Sequence, residues 1–466
     1  MPINSFLYPG AKFTPAYEVA NSLRLDGSSA YLSRTFGTPT NASKFTYSGW
    51  VKRSGLSASH ILLFANGGNA QNYANIMFNS ADDFFWHILS SNSEVSKLRS
   101  DAKYRDASAW YHLVFAWDST QATASNRTKM YVNGVELDSF DVQTNTAQDT
   151  NYHMNTAVEH IIGAEKGNTG GSVGNYFGGY MAEVVFIDGQ ALDPTSFGEF
   201  DSDSGIWKPK DVSGLTFGNN GFYLDFKDSS ALGNDVSGNN NDFSVTNLAA
   251  TDQTTDTCTN NFATFNPLLN NWTAISEGNL KVTNTSQAYR DVFSTVALTS
   301  GKWYVECRID TEIGGTYPIF GIADASQYSY PAQVNLLGRS SLGWGFQTDG
   351  NYYNNNADAG NWSTLDNGDI IGFYLDLDSS QNTLKVYKNG SSELSLNISD
   401  PVDGYYFGCS TYQEDSVSGS INFGNPSFSI SSGNSDANGY GNFEYSPTLS
   451  GVNYYAICTK NLAEYG

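Results

Sequence analysis

The chain is poor in cysteine, in charge, in basic residues and in long apolar runs. Its four cysteines, Cys258, Cys307, Cys409 and Cys458, lie far apart. No CxxC pair and no Cys/His cluster exists, so spacing indicates neither a zinc site nor a disulfide framework. No apolar stretch reaches the roughly 18 residues that a spanning helix needs. The N-terminus, Met1-Pro2-Ile3-Asn4, has no charged region followed by an apolar run, and it does not read as a signal peptide. Synthesis in a reducing cytoplasm is the expectation. Lys plus Arg number 24 against 47 Asp plus Glu, a net charge of −23. Such a surface repels phosphate backbones and anionic lipid heads, so neither nucleic acid nor membrane insertion is expected. Acidity alone also serves solubility.

Catalytic signatures are missing as well. There is no GxSxG, no HExxH and no phosphate loop. Paired carboxylates in a Glu-x-Asp-x-x-Glu arrangement, which a glucanase needs across its scissile bond, do not occur. Glu183 has no second carboxylate at that spacing, and Asp376 and Asp378 read as structural. The five histidines, His60, His87, His112, His153 and His160, fall in the first half, and His112 reads as a sheet residue between Tyr111 and Leu113. No enzyme is expected. Helical periodicity is almost absent too; only Pro194 to Phe200 reads as one turn.

What the chain has is turn formers and rings. Forty-five glycines stand against 12 prolines, and aromatics make up 14%, too many for a disordered chain. At about 150 residues per domain, 466 residues suggest roughly three units, and all-β domains run larger. Two large domains with connectors are expected.

From Ser22 onward the pattern is short alternating strands. Phe45, Tyr47, Gly49 and Val51 repeat with period two. Ile61 to Phe64, Ile76 to Phe78, Phe84 to Ile88, Trp110 to Trp117, Met130 to Val135 and Tyr180 to Ile187 follow. Many short strands between turn signals predict an all-β sandwich. Residues 1–20 read as an arm, 21–200 as the first domain and 201–260 as a connector with one strand from Gly221 to Phe226. Residues 261–430 read as the second domain, and 431–466 as a polar linker and apolar tail. In Trp303 to Ile309, alternation puts Cys307 with Val305 and Ile309, so it reads as a buried thiol.

The residues Ser48-Gly49-Trp50-Val51-Lys52, Trp110-Tyr111-His112-Leu113-Val114, Tyr131-Val132-Asn133-Gly134-Val135 and Phe177-Gly178-Gly179-Tyr180-Met181-Ala182-Glu183 carry a resemblance. In this order they resemble the concanavalin A-like, laminin-G-type jelly roll. Asn133-Gly134 suits a type I′ hairpin turn. Trp50, Trp110 and Tyr131 are expected as large faces buried between the sheets. The second block resembles a SPRY domain. It runs through Ser300-Gly301-Lys302-Trp303-Tyr304-Val305-Glu306, Phe320-Gly321-Ile322-Ala323 and Gly343-Trp344-Gly345-Phe346. Asn367-Gly368-Asp369-Ile370-Ile371-Gly372, Val386-Tyr387-Lys388-Asn389-Gly390 and Ile421-Asn422-Phe423-Gly424 continue it. That family's fold is a bent β-sandwich that binds peptides or proteins through loops at one end. The fold class expected is therefore all-β, a jelly roll followed by a SPRY-like sandwich.

Together, in this order, the two blocks resemble a group of marine tailed-phage structural proteins. Ser22-Leu23-Arg24-Leu25-Asp26-Gly27-Ser28-Ser29-Ala30-Tyr31-Leu32, Asn260-Asn261-Phe262-Ala263-Thr264-Phe265 and Tyr455-Ala456-Ile457-Cys458-Thr459-Lys460-Asn461-Leu462 add to that resemblance. It implies a virion component on the particle exterior, tail or capsid, made in the host cytoplasm. It also implies a tail-fibre or adsorption role, with other virion proteins and a host-surface glycan or protein as partners. A decoration protein without ligand is the alternative, and a glycan depolymerase a third reading. Fibres are often homotrimers, which makes a homo-oligomer the guess.

Two sets of candidate contact residues stand out. Tyr328 and Tyr330 lie in one loop, and Tyr352, Tyr353 and Trp362 in an Asn- and Gly-rich stretch. Aromatic faces beside amides can stack on sugars or grip peptides at low entropic cost. Asp235, Asn239 and Asp242 resemble an Asx-rich segment of laminin-G-type folds, and they are the candidate ligands for calcium, which needs clustered oxygens. The same residues also suit a turn that satisfies its own backbone.

Overall fold

The computed structural model describes residues 17–166, 171–270, 274–284, 290–311, 318–327, 337–411, 417–447 and 451–466. The described chain forms two compact units that meet in sequence between Thr259 and Asn260. Every ladder within the sheets is antiparallel, and the fold is nearly all β, as expected.

In the first unit, the alternating residues build two large sheets. One runs in the order Val135–Glu136, Thr128–Val132, Trp110–Asp118, Lys44–Arg53, Gly178–Asp188, Ser22–Asp26 and Gln253–Thr254, with Phe222–Leu224 also paired to Gly178–Asp188. The other runs Phe140–Thr144, Ser93–Lys103, Asp83–Ser90, Asn72–Phe78, His60–Asn69, Glu159–Ile162, Tyr31–Thr35 and Ser244–Thr246. Phe45, Phe115 and Trp117 of the first sheet meet Trp86 of the second, with Trp86 and Phe115 centroids 4.2 Å apart. Rings of this size each contribute roughly 1.5–3 kcal/mol on burial.

Trp50, Trp110 and Tyr131, expected between the sheets, lie on the outer face of the first sheet instead. Tyr47 and Val51 point between the sheets, so Ser48, Trp50 and Lys52 must point the other way. Trp50 and Trp110 pack on the outer face with Val19, Tyr180 and Trp207, and half-buried Tyr131 packs there with Val114 and Phe197. This sheet is covered on both faces, so both phases of its alternation carry large residues and pattern alone does not identify the inner one.

The cover comes from Val19 and Phe197 and from Trp207, Val212 and Phe217 in residues 201–260, which were expected as a connector with one strand. Residues 201–260 also supply Phe222–Leu224, Ser244–Thr246 and Gln253–Thr254 to the two sheets. Pro194–Ser196 forms the expected single turn, as a 3-10 turn whose Asp193 Oδ1 accepts the Thr195 N–H at 2.9 Å.

In the second unit one sheet runs Phe265–Asn270, Arg290–Ser294, Tyr405–Thr411, Ile319–Asp324, Gly343–Gln347, Asn351–Asn354 and Ala357–Asn361. The other runs Ala274–Ser276, Lys281–Asn284, Val417–Asn422, Lys302–Thr311, Ile370–Asp376, Thr383–Lys388 and Ser391–Asn397. Phe346 and Phe373 meet between them at 5.6 Å. Cys307 is 1% exposed among Val305 and Ile309, the burial its alternation predicts.

The C-terminal segment is no loose tail. Phe443, Tyr454, Ala456 and Cys458 pack on Tyr304, Tyr374 and Tyr387, on the outer face of the second sheet. Thr459–Tyr465 forms an α-helix, the only one among the described residues and one that apolar patterning did not show.

Asn133-Gly134 and Asn389-Gly390 have φ of 48° and 80°, and 47° and 79°. Both are two-residue hairpin loops with positive φ at each centre, as type I′ requires.

Candidate functional site

The first unit holds a serine–histidine pair on the outer face of its first sheet. Ser48 Oγ stands 2.9 Å from His112 Nε2, and both residues are 1% exposed. Trp207 donates its indole N–H to His112 Nδ1 at 3.0 Å. An indole nitrogen only donates, so Nδ1 accepts and the neutral ring carries its proton on Nε2. Burial lowers the His112 pKa to about 3, which keeps the ring neutral. His112 therefore donates to Ser48, the reverse of what a general base does. Trp50, stacked at 4.8 Å, and Trp207 enclose the pair.

Glu183 is the second buried polar centre. It sits at φ 51°, where the register of its strand shifts between Ala182 and Val185. Its Oε2 accepts the hydroxyls of Tyr17 at 3.0 Å and Tyr223 at 2.6 Å. Burial raises its pKa to about 7, against which the two tyrosine bonds act. Tyr17 closes over it, so this acid holds the start of the described chain to the sheet.

The residues expected to ligate calcium, Asp235, Asn239 and Asp242, form a hydrogen-bonded turn. Asp235 Oδ1 accepts the N–H groups of Tyr223 at 2.8 Å and Ser237 at 2.9 Å. Its Oδ2 accepts Ser237 Oγ and Asn241 N, each at 2.8 Å. Asp242 Oδ1 takes the Asp235 N–H at 2.8 Å, and Asn239 Nδ2 donates to the carbonyls of Gly218 and Gly221. The Asp235 oxygens already serve four protein donors, so they are not preorganised for a cation. Among the described residues, no three His, Cys, Asp or Glu side chains are grouped to hold a metal.

Asp376 and Asp378 do the same for the second unit. Asp376 Oδ1 accepts the N–H groups of Asp378 and Ser379 at 3.1 Å each, and Asp378 Oδ1 accepts that of Gly301 at 2.7 Å. Both shape turns.

The aromatic candidates of the second unit divide by face. Tyr352 lies in the strand Asn351–Asn354 and stacks on Phe346 at 5.6 Å. Trp362 meets the same ring edge-on at 5.9 Å and donates its indole N–H to Gln347 O at 3.0 Å. Both therefore close the edge of the core, Tyr352 from a strand and Trp362 from the loop that follows Ala357–Asn361. Tyr353 alternates to the opposite face and is half-buried, its Cβ beside Gly338. Next to it the hairpin tip Asn355-Asn356, φ 53° and 58°, is exposed, as is Asp358. Tyr328 and Tyr330 lie outside the described residues.

This hairpin is an outermost rung of its sheet, and its exposed tip carries the side-chain amides of Asn355 and Asn356 and the carboxylate of Asp358, beside half-buried Tyr353. Such groups make hydrogen bonds and stacking contacts and supply no nucleophile or paired acid.

Residues 26–196 match the laminin-G-type family model described as Concanavalin A-like lectin/glucanases superfamily. That span covers most of the first unit. Among solved structures, the SPRY domain of human HERC1 is similar at 20% identity, over 34% of this chain and 96% of that one, with a TM-score of 0.29. A second human SPRY domain is similar at 19% identity, over 30% and 89%, with a TM-score of 0.25. The heptameric SAP-like pentraxin of Limulus polyphemus is similar at 16% identity, over 38% and 80%, with a TM-score of 0.29. No curated protein sequence matches the chain.

Sequence reasoning missed Glu306, which anchors the C-terminal segment. Lys302, Tyr304, Glu306, Arg308 and Asp310 share one face of their strand, and such a polar face reads as solvated. The aromatic residue among them, Tyr304, was the available signal that this face is covered.

Proposed function

We propose that the chain is a non-catalytic component of a tailed-phage particle that binds a glycan or protein on the host surface. The observation that carries the binding part is the match of the first unit to a lectin and glucanase superfamily, while its buried serine–histidine pair has the wrong proton for catalysis. The virion setting rests on the order of the two domains and on the quoted segments at Ser22, Asn260 and Tyr455. In this reading the hairpin of the second unit, with half-buried Tyr353 beside exposed Asn355, Asn356 and Asp358, is a contact surface, other virion proteins hold the chain, and copies associate on the particle exterior.

The test uses the fluorescently labelled full chain on host cells. Saturable binding is expected, with a loss of roughly tenfold in affinity for Tyr353→Ala and no loss for Tyr352→Phe. Equal binding by Tyr353→Ala removes this hairpin from the account, and no saturable binding removes host recognition.

A further inference from the structure

The second unit carries a cleft on the covered face of its second sheet, away from the Tyr353 hairpin in sequence and on the other sheet. Its volume is about 430 Å³, and Arg308, Asp310, Phe428, Ser429, Glu444 and Tyr445 are among its lining residues. A volume of this order falls at the lower end of small-molecule sites.

The walls are held before any ligand arrives. The Arg308 guanidinium lies 4.3 Å over the Phe428 ring, and its Nε and Nη2 both reach Asp310 Oδ1 at 2.6 Å. No described residue takes its Nη1. Tyr445 is fixed through its backbone, whose N–H goes to Glu306 Oε1 at 2.7 Å, and its ring packs on Gly390. Its hydroxyl has no partner among the described residues. Glu444 is oriented by Ser431, which donates through its backbone N–H at 2.7 Å and through its hydroxyl.

The chemistry on offer is a half-buried aromatic ring beside one guanidinium nitrogen, Arg308 Nη1, and one carboxylate. Arg308 is neutralised by Asp310, and the remaining charge in the lining is the carboxylate of Glu444. A polyanion gains nothing there, and the net charge of −23 repels it. A neutral polyol fits: its ring C–H face lies on the Tyr445 ring, one hydroxyl accepts from Arg308 Nη1, and another donates to a remaining lone pair of the Glu444 carboxylate. We propose that this cleft is a binding subsite for a neutral sugar of one or two rings. The inference deepens the binding reading above by naming a ligand class at a second place, and the two fail separately because they use different residues.

The test is saturation-transfer NMR on the full chain with methyl β-D-galactopyranoside, methyl α-D-mannopyranoside and N-acetyl-D-glucosamine. A short neutral peptide, acetyl-Gly-Ser-Ala-amide, is the control. Ser429→Trp fills the cleft from an exposed position without removing a buried group, and Tyr445→Ala removes the ring. Transfer to at least one sugar is expected, falling roughly tenfold in either variant and unchanged in Tyr353→Ala. No transfer to any sugar, transfer to the peptide alone, or transfer undiminished in Ser429→Trp overturns the proposal. Circular dichroism of each variant separates lost binding from lost fold.

Discussion

Glu306 Oε1 accepts the backbone N–H of Tyr445 at 2.7 Å, while its Oε2 accepts that of Glu444 at 2.9 Å. One side chain, fully buried on a middle strand, thus holds the C-terminal segment against the sheet. Asn422 Nδ2 adds a third bond at 3.2 Å.

Burial raises the Glu306 pKa to about 7 in spite of those donors. A carboxyl whose folded pKa lies above its unfolded value contributes stability that is complete below the unfolded value, and loses it as pH rises through about 7. Urea unfolding of the second unit is therefore expected to weaken between pH 5 and pH 8 by up to ~3 kcal/mol. Glu306→Gln is expected to flatten that slope. An equal slope in the variant contradicts the assignment.

His112 gives a prediction of opposite sign. Its folded pKa of about 3 lies below the ordinary histidine value, so its contribution is complete above that ordinary value and is lost as pH falls through about 3. Nitrogen-15 NMR is expected to show neutral His112, protonated at Nε2, throughout pH 5 to 8. A midpoint near 6.5, or a proton on Nδ1, contradicts the Ser48–His112–Trp207 geometry.

Lys52 Nζ and Asp256 Oδ2 form a buried ion pair at 2.8 Å, with side chains 1% and 0% exposed, and Trp110 donates to Asp256 Oδ1 at 3.1 Å. Asp256→Leu alone leaves an uncompensated ammonium and is expected to cost about 3–5 kcal/mol. Lys52→Met with Asp256→Leu is expected to recover most of that loss in thermal or urea unfolding. Additive losses would show that the two charges do not compensate each other.

Two turn glycines, Gly134 and Gly238, separate strain from clash. At Gly134, φ 80°, an added Cβ would stand 2.3 Å from the Trp207 ring, so Gly134→Ala is expected to cost well over ~1 kcal/mol. At Gly238, φ 92°, nothing lies within 4 Å, and Gly238→Ala is expected to cost only the backbone strain, about 1 kcal/mol. Equal losses in urea unfolding would contradict the packing of Trp207 on this turn.

The all-β class, the two sandwiches and both Asn-Gly turns were legible because period-two alternation and positive-φ turn chemistry are local signals. The inner face of Lys44–Arg53 was not, since Trp50 and Val51 are both buried, one on each side. Residues 201–260 and the C-terminal segment read as linkers for a related reason. Their Asp- and Asn-rich composition serves Asx turns such as those at Asp235 and Asp436, and those turns fold short apolar stretches onto sheets far away in sequence. The same ambiguity left calcium and a self-satisfied turn as alternatives at Asp235, because a carboxylate that caps four N–H and O–H donors has the composition of one that binds a cation. Tyr352 and Trp362 show the limit for aromatics: ring content marks a place of interest, and only the partner, here Phe346, tells a core edge from a contact surface.

The proposed role, a host-binding part of a phage particle, places this chain on the virion. Immunogold labelling of intact particles, with antibody raised against the full chain, tests it most directly. Gold at the tail or its fibres is the expected result. Gold spread over the head would point to decoration instead, and particles that carry no gold at all would contradict the virion assignment.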